Sequence, residues 1–488
     1  MIRRFLPITL ITASLSACIS VRDYEGPPAP PVAEGEPLLR AAGERYSAEE
    51  PVIDWWRELG EEDLTALIEQ AFANNRDRAA AEANLRAARA ALRLRQRDFL
   101  PNGSASAAYQ RQGIAENAQF FQGLGSVPDF DLYDVTFDAS WEIDLFGRLS
   151  AARDAARADF QASIATRDDL LVSLAAETAS TYVTLRGAQE QLAVSERNAE
   201  NQKDSFRLTE VLLKGGRGTR LDVERARAQL DQTLATIPPL RALIDQSIFR
   251  LSVLTGQPPV ALLEELSVGE DLPEMPSLVA VGDASSLLRR RPDIRRAERE
   301  LAAASERVGE AAADFFPTVS IGGSVGLQSQ SLNNIAEQNS LAYAFGPQLL
   351  WNILDFGRIR ARVDQNDELS VAAAARYEQT VLLALEETEA SLTSYNNELR
   401  RELLLRDSSE ASQNAARLAR LRYRYGVDDF LEVLDAERVA LENETQHVIS
   451  RTQTFIQLIA IYKSLGGGWQ SEAAQVSAEP PTNSEPEE

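Results

Sequence analysis

Three sets of residues in this sequence have types and spacings that could do chemistry. Asp355, Phe356 and Gly357 form an Asp-Phe-Gly triplet, an arrangement that holds magnesium in phosphoryl transfer. His447 is the only histidine, and so the only imidazole available as a general base. Asp222, Glu432 and Asp435 stand just beyond two glycine-marked turns, the last two spaced i, i+3 on one helix face. Repeated around an axis, such carboxylates attract and select cations.

The magnesium reading fails on an earlier stretch of the chain. Residues 141–148 read WEIDLFGR and residues 351–358 read WNILDFGR, which pairs Trp141 with Trp351, Phe146 with Phe356 and Gly147 with Gly357. The acid does not pair: Asp144 comes one position too early, and a metal ligand cannot slide along the backbone and keep its geometry. No Gly-rich phosphate loop accompanies the triplet, and His447 lies outside any His-Arg-Asp loop. Its surroundings, ENETQHVISRTQ, read as a polar helix with His447 in solvent. No catalytic residue, metal site or cofactor is assigned.

The balance of 50 basic against 74 acidic residues, a net charge of -24, disfavours a nucleic-acid binder and suits a surface that handles cations. One cysteine and one histidine leave no zinc cluster, disulfide framework or Cys/His pair. The N-terminus has an export pattern, with Arg3 and Arg4 ahead of an apolar run, Phe5 to Ser16, too short to span a bilayer. Its end, Leu15-Ser16-Ala17-Cys18, resembles the bacterial lipoprotein box. That resemblance implies a signal peptide over 1–17 and a lipid, palmitate included, on Cys18 as the sole covalent addition. Ile19 in place of an aspartate implies sorting to the outer membrane. No later segment offers the roughly 18 consecutive apolar residues of a membrane helix, so any crossing must use strands.

The elements that position these residues follow from a duplication. Residues 18–50 begin as a Pro-rich tether and 467–488 read as an acidic disordered tail. Between them lie a first repeat over 51–255, a connector over 256–284 and a second repeat over 285–466. The offset is 210 at Trp141/Trp351, Gly216/Gly426 and Gly256/Gly466, but 216 at Pro101/Pro317. The six-residue difference must lie between Pro101 and Trp141, and predicts a surface loop there and in the second copy. Each copy parses as helix, strand, loop, strand, Gly-Arg, very long helix, Gly turn, long helix.

The strands alternate with period two: Val135, Phe137, Ala139, Trp141 and Ile143 oppose Thr136, Asp138 and Ser140, and Val319, Ile321 and Val325 oppose Ser320 and Ser324. Phe345, Leu349, Trp351 and Ile353 continue the pattern on the return strand. Arg148 to Lys214, interrupted only by Gly187, and Arg358 to Tyr425 predict helices of roughly 100 Å at about 1.5 Å per residue. Leu385, Leu392 and Leu399, with Tyr395 and Leu403, form a heptad seam. The Arg-rich run at 289–299 reads as a solvated helix starting at Pro292. Four amphipathic strands cannot close a barrel in lipid, where every backbone amide needs a partner, so several chains must share one.

The order of lipobox, DWWRELGEEDLTALIEQAFANN (Asp54 to Asn75), LLRRRPDIRRAERELAAA (Leu287 to Ala304), paired FGR motifs, GVDDFLEVLDAE (Gly426 to Glu437) and LGGGW (Leu465 to Trp469) closely resembles the TolC-like outer-membrane efflux proteins, in their lipoprotein branch. The resemblance covers nearly all of the mature chain. It implies a mainly α fold with a small β part: a homotrimer, a twelve-stranded outer-membrane barrel with four strands per chain, and a helical periplasmic barrel. It also implies docking to a periplasmic adaptor and an inner-membrane RND-type pump, as a passive exit duct for drugs, toxic compounds or metals. A duct for type I protein secretion and an exported coiled coil without a pore are the alternatives. By this resemblance Asp222, Glu432, Asp435 and Tyr423 belong to a periplasmic aperture. Gly216, Gly426 and Val427 belong to hairpin tips that meet the adaptor, and Trp141, Phe146, Trp351 and Phe356 to the membrane interface.

Overall fold

The computed structural model describes residues 24, 26–29, 32, 35–41, 45–113, 129–270, 272–273 and 275–469. Cys18, the signal segment and residues 470–488 lie outside the described residues. In chain order the helices and main strands are α1 (Glu62–Asn74), α2 (Arg76–Arg97), β1 (Asn102–Gln112), β2 (Phe130–Ile143), α3 (Arg148–Lys214), α4 (Arg220–Leu234), α5 (Ile237–Leu254), α6 (Leu263–Leu266), α7 (Ala284–Arg290), α8 (Pro292–Ala313), β3 (Thr318–Ser329), β4 (Leu341–Leu350), α9 (Phe356–Arg424) and α10 (Phe430–Ser464). They fall into two compact units: Met1–Pro28, Asn84–Ser163 and Ala297–Tyr377 in the first, Ala29–Ala83, Ile164–Arg296 and Glu378–Glu488 in the second.

The first unit holds a four-stranded antiparallel sheet in the order β1-β2-β3-β4. Directly opposed residues share a face, so the register fixes what each face presents. Phe137 stands between Ala105 and Val325, and Tyr343 follows Val325; Trp141 opposes Ile321. On the other face Asp138 stands between Ser104 and Ser324, and Gln348 opposes Ser320. One face is therefore apolar and open, with Phe345 84% exposed, and the other is polar. Among the described residues, strands β1 and β4 each pair on one side only. Residues 113–129 join the first pair and 330–340 the second, seventeen against eleven, so the predicted six-residue difference falls between the strands.

The return strand is shorter than its alternation predicts. β4 ends at Leu350, and Trp351 and Ile353 sit in a turn closed by Ile353 N–H on the Trp351 carbonyl at 3.0 Å. The apolar period continues past the strand, where Trp351 meets Phe356 at 6.3 Å while Ile353 and Leu354 stay exposed. Tyr24, in the Pro-rich tether expected to hold the lipid away from the body, packs on Ala158, Ala302 and Ala303.

In the second unit Trp55 stacks on Tyr462 at 4.9 Å, over a core that includes Leu64, Ile68, Ile248 and Leu251. The tether is again stitched down: Leu38 is buried, the Leu39 and Arg40 amides donate to Glu389, and Tyr46–Ser47 pairs in parallel with Val279–Ala280. Prolines at an otherwise spacer-like composition remove donors without preventing such point contacts. The tail also starts later than expected, because Trp469 is buried, donates to the Arg290 carbonyl and lies under Arg295. The Arg-rich run is not a solvated helix: Arg290 and Arg291 are buried, and Arg291 binds Asp293 and the Ser464 carbonyl. α8 does begin at Pro292, which pre-sets the first turn.

Gly187 continues α3 without a break, and its missing side chain admits Thr452 of α10, whose Oγ1 would lie 2.3 Å from a Cβ there. The return helix of the first hairpin is split into α4 and α5 by Pro238 and Pro239, whereas α10 runs unbroken for 35 residues. Leu392, Tyr395 and Leu399 of the heptad seam are buried, but Leu403 leaves it, 36% exposed.

Candidate functional site

The hairpin tips close in the same way. After α3, Gly216 adopts φ +71°, the Arg217 amide reaches back to Leu212 and the Gly216 amide to Leu213. After α9, Gly426 adopts φ +74°, with the Val427 amide on Arg422 and the Gly426 amide on Tyr423. Only glycine takes this left-handed cap without strain, and both turns satisfy the last helical carbonyls. Tyr425 and Val427 are exposed at the second tip, where Arg422 forms a bidentate pair with Asp428 across the turn.

The predicted acids sit at the starts of the return helices. Asp222 completes a capping box: its carboxylate accepts from the Thr219 hydroxyl at 2.6 Å and amide at 3.1 Å, while its own amide donates to Thr219. Glu432 is exposed in the first turn of α10, and Asp435, one turn on, pairs with Arg438 at 2.8 Å. Carboxylates favour this end of a helix dipole in any case. Tyr423 leans its ring on Phe430 at 5.3 Å, within a cluster that includes Ala226, Val433 and Phe206. Burial, and secondarily the Asp222 charge, hold its hydroxyl above its ordinary pKa. The two hairpins are thus joined by apolar contact just behind the acids.

Two further acids lie inside this helix packing, and sequence reasoning missed them. Glu437 is 3% exposed, accepts from Ser205 at 2.8 Å and lies 3.0 Å from Arg420. Burial pushes its pKa up, against the opposing effects of Ser205 and Arg420. Glu444, also buried, accepts from Asn198 at 2.9 Å and from Arg197. The signal was present: Phe430, Val433, Glu437, Ala440, Glu444 and Val448 recur at seam spacing, so both acids occupy core positions. His447 is half-buried rather than solvated, 3.1 Å from Glu402, beside a cavity of about 300 Å³ lined by Glu190, Glu270 and Glu444.

At the strand–helix junctions the predicted aromatics form a belt. Trp141 donates to the Phe99 carbonyl at 2.9 Å and Trp351 to the Phe315 carbonyl at 3.1 Å. Phe146 stacks on Phe316 at 4.8 Å, and Phe356 lies 6.0 Å from Phe315 and 6.3 Å from Trp351. Both tryptophans remain about two-fifths exposed, 40% and 42%, an amphipathic setting of the kind found at a membrane interface. Asp355 is the residue before α9, its carbonyl accepting from Arg358 and Ile359 and its carboxylate lying 3.4 Å from Arg358.

A profile of the outer membrane efflux protein family matches residues 67–257 and 284–467. The chain belongs to the outer membrane efflux protein family. It is 31% identical to outer membrane protein OprJ of Pseudomonas aeruginosa over 94% of this chain and 95% of that one. It is 30% identical to the toluene efflux pump outer membrane protein TtgF of Pseudomonas putida, over 96% and 98%. Among solved structures, the outer-membrane channel OprN superposes with TM-score 0.86 at 38% identity, covering 92% of this chain and 99% of OprN. These efflux-family relatives are channels and pump components, and the long helices and small sheet described above match their fold.

Proposed function

We propose that the protein is the passive outer-membrane exit channel of an efflux pump, working as a homotrimer. One observation carries the reading: a sheet with one apolar and one polar face, and two edges left unpaired among the described residues. No described helix is long and apolar enough to cross a membrane. Lipid does not tolerate open sheet edges, so β4 of one copy meets β1 of the next, and three copies close twelve strands around a polar lumen. Strand directions permit this, because β1 and β4 run antiparallel within the meander.

The belt of Trp141, Phe146, Trp351 and Phe356 then marks the periplasmic edge of the bilayer, and lipid on Cys18 anchors the chain there. The matched family segments, the twin tips and the twin tryptophan bonds support a two-fold repeat. The long hairpins form a periplasmic tunnel ending in an aperture of Asp222, Glu432, Asp435 and Tyr423, with Gly216, Gly426 and Val427 exposed to a periplasmic adaptor. An RND-type inner-membrane pump supplies the energy. Opening is a shift between closed and open tips, driven by contacts that the adaptor makes only with the open one.

Planar-bilayer recording tests this. Purified protein should give discrete cation-preferring conductance, and Asp435→Asn with Glu432→Gln should reduce that preference. An electrically silent protein would overturn the channel, and unchanged ion preference in the double variant would overturn the aperture.

A further inference from the structure

Around the sheet, helices follow the strand order: α2 leads into β1, α3 leaves β2, α8 leads into β3 and α9 leaves β4. Each neighbouring pair is tied by an arginine. Arg89 of α2 lies 5.4 Å over the Phe160 ring of α3. Arg307 of α8 binds Asp159 of α3 at 2.5 Å, and Arg362 of α9 binds Asp314 beyond α8 at 2.8 Å. The outer faces of α2 and α9, which flank the two open sheet edges, carry the same chemistry without partners. Arg86, Arg93 and Arg97 of α2 are exposed and make no ion pair among the described residues. Asp364, Asp367 and Glu368 of α9 are likewise exposed and unpaired among the described residues.

We propose that these two faces are one seam between copies of this chain, the arginines of α2 pairing with the acids of the next copy's α9. This rests on the ring reading above, which brings β4 of one copy beside β1 of the next. Helix geometry fits. On α9 the buried or half-buried Ile359, Val363, Asn366, Ala373 and Tyr377 mark the side facing its own chain, and at about 100° per residue Asp364 and Glu368 fall opposite. On α2 the side opposite Leu85 and Leu92 carries Ala87, Ala90 and Leu94, flanked by the arginines. The alanines let the two helices approach closely. Depths match as well: Arg86 stands eleven residues before the end of α2 and Asp367 eleven after the start of α9, each about 16 Å along its helix.

The charge is also specific to this edge. At the corresponding positions of α8, offset by 216, Ala302, Gly309 and Ala313 stand where α2 has Arg86, Arg93 and Arg97, and Asp314 is already paired within the chain. Arg86, Arg93 and Arg97 are exposed on one outer helix, and Asp364, Asp367 and Glu368, of opposite charge, are exposed on the other. Such an arrangement selects head-to-tail closure and opposes like-face pairing, since juxtaposed like charges cost far more than opposite ones gain.

The test is charge reversal in the full chain, in detergent at moderate salt, read by light scattering coupled to size exclusion. Arg86→Glu with Arg93→Glu, and separately Asp364→Lys with Asp367→Lys, should each lower the trimer-to-monomer ratio about tenfold. Combining all four should restore it, which a merely misfolded variant would not do. A milder pair, Ala90→Cys with Asp364→Cys, should give dimer and trimer bands on oxidation. Trimers that persist through both reversals, or cysteines that bridge only within one copy, would overturn the seam and leave the ring intact. A monomeric wild type would overturn the ring itself.

Discussion

The two Phe-Gly-Arg junctions share a triplet but do not fold alike. At the first, Gly147 takes φ +77° and α3 begins at Arg148; at the second, α9 begins two residues earlier in register, at Phe356, and Gly357 lies inside the helix. The cause is the acid whose position slides. Asp144, set back by one residue, reaches over the glycine to accept from the Leu149 amide at 3.1 Å, the Ser150 amide at 2.8 Å and the Ser150 hydroxyl at 2.7 Å. Asp355, adjacent to the triplet, starts the helix with its own carbonyl and leaves its carboxylate beside the exposed Arg358. Arg148, in contrast, forms a bidentate bond with Glu142. One residue of slide therefore moves a helix start and changes which side chain does the capping.

The same contrast recurs farther along, and there it has the largest expected effect. The residue 210 positions before Glu437 is Arg227, which is exposed, while Glu437 is buried. Replacing Glu437 with Ala should cost about 3 kcal/mol in chemical denaturation, because Ser205 and Arg420 lose their partner inside the bundle. Arg227→Ala should stay within about 0.5 kcal/mol. Glu437 also predicts a pH dependence. Burial raises its folded pKa above the ordinary 4.5, so between those two values the native state binds more protons than the unfolded chain. Its stabilising contribution is complete below 4.5 and is lost as pH rises through the raised value. Glu437→Gln should flatten that slope, and an unchanged slope would move its origin elsewhere.

A smaller effect separates the two capping acids. Asp144→Ala should cost about 1–2 kcal/mol, since two amides at the start of α3 lose their acceptor. Asp355→Ala removes only a surface ion pair and should cost about 0.5 kcal/mol or less. Equal losses would mean that the two junctions are capped alike, contrary to their hydrogen bonds.

How far the sequence could be read follows from the same chemistry. Uninterrupted stretches gave α3 its bounds, Arg148 to Lys214, and strand alternation gave the two faces of the sheet, because both depend on local periodicity. The tips were legible because only glycine fits their backbone. Burial of Arg290, Arg291 and Glu437 was not legible from charge alone: each is held by partners distant in sequence, such as the Pro51 carbonyl for Arg290, Ser464 for Arg291 and Ser205 for Glu437. Composition likewise suggested a Pro-rich extended tether, whereas Leu39 and Arg40 are fixed by Glu389, about 350 residues away. The aperture role of the acids at the tips was identified from resemblance, and the capping box that Asp222 completes with Thr219 is an additional duty.

The finest discrimination between the junctions comes from their glycines, where the expected effects have opposite signs. At Gly147 a Cβ would meet no atom within 4 Å, so the whole cost of Gly147→Ala is conformational, about 1 kcal/mol for a left-handed residue. At Gly357 the space is equally open but the backbone is helical, so Gly357→Ala should stabilise by about 0.5–1 kcal/mol through the unfolded chain. Because neither substitution touches a neighbour, packing cannot account for a difference between them. A destabilised Gly357→Ala would show that the second glycine adopts the left-handed form after all, and that the two junctions share one geometry.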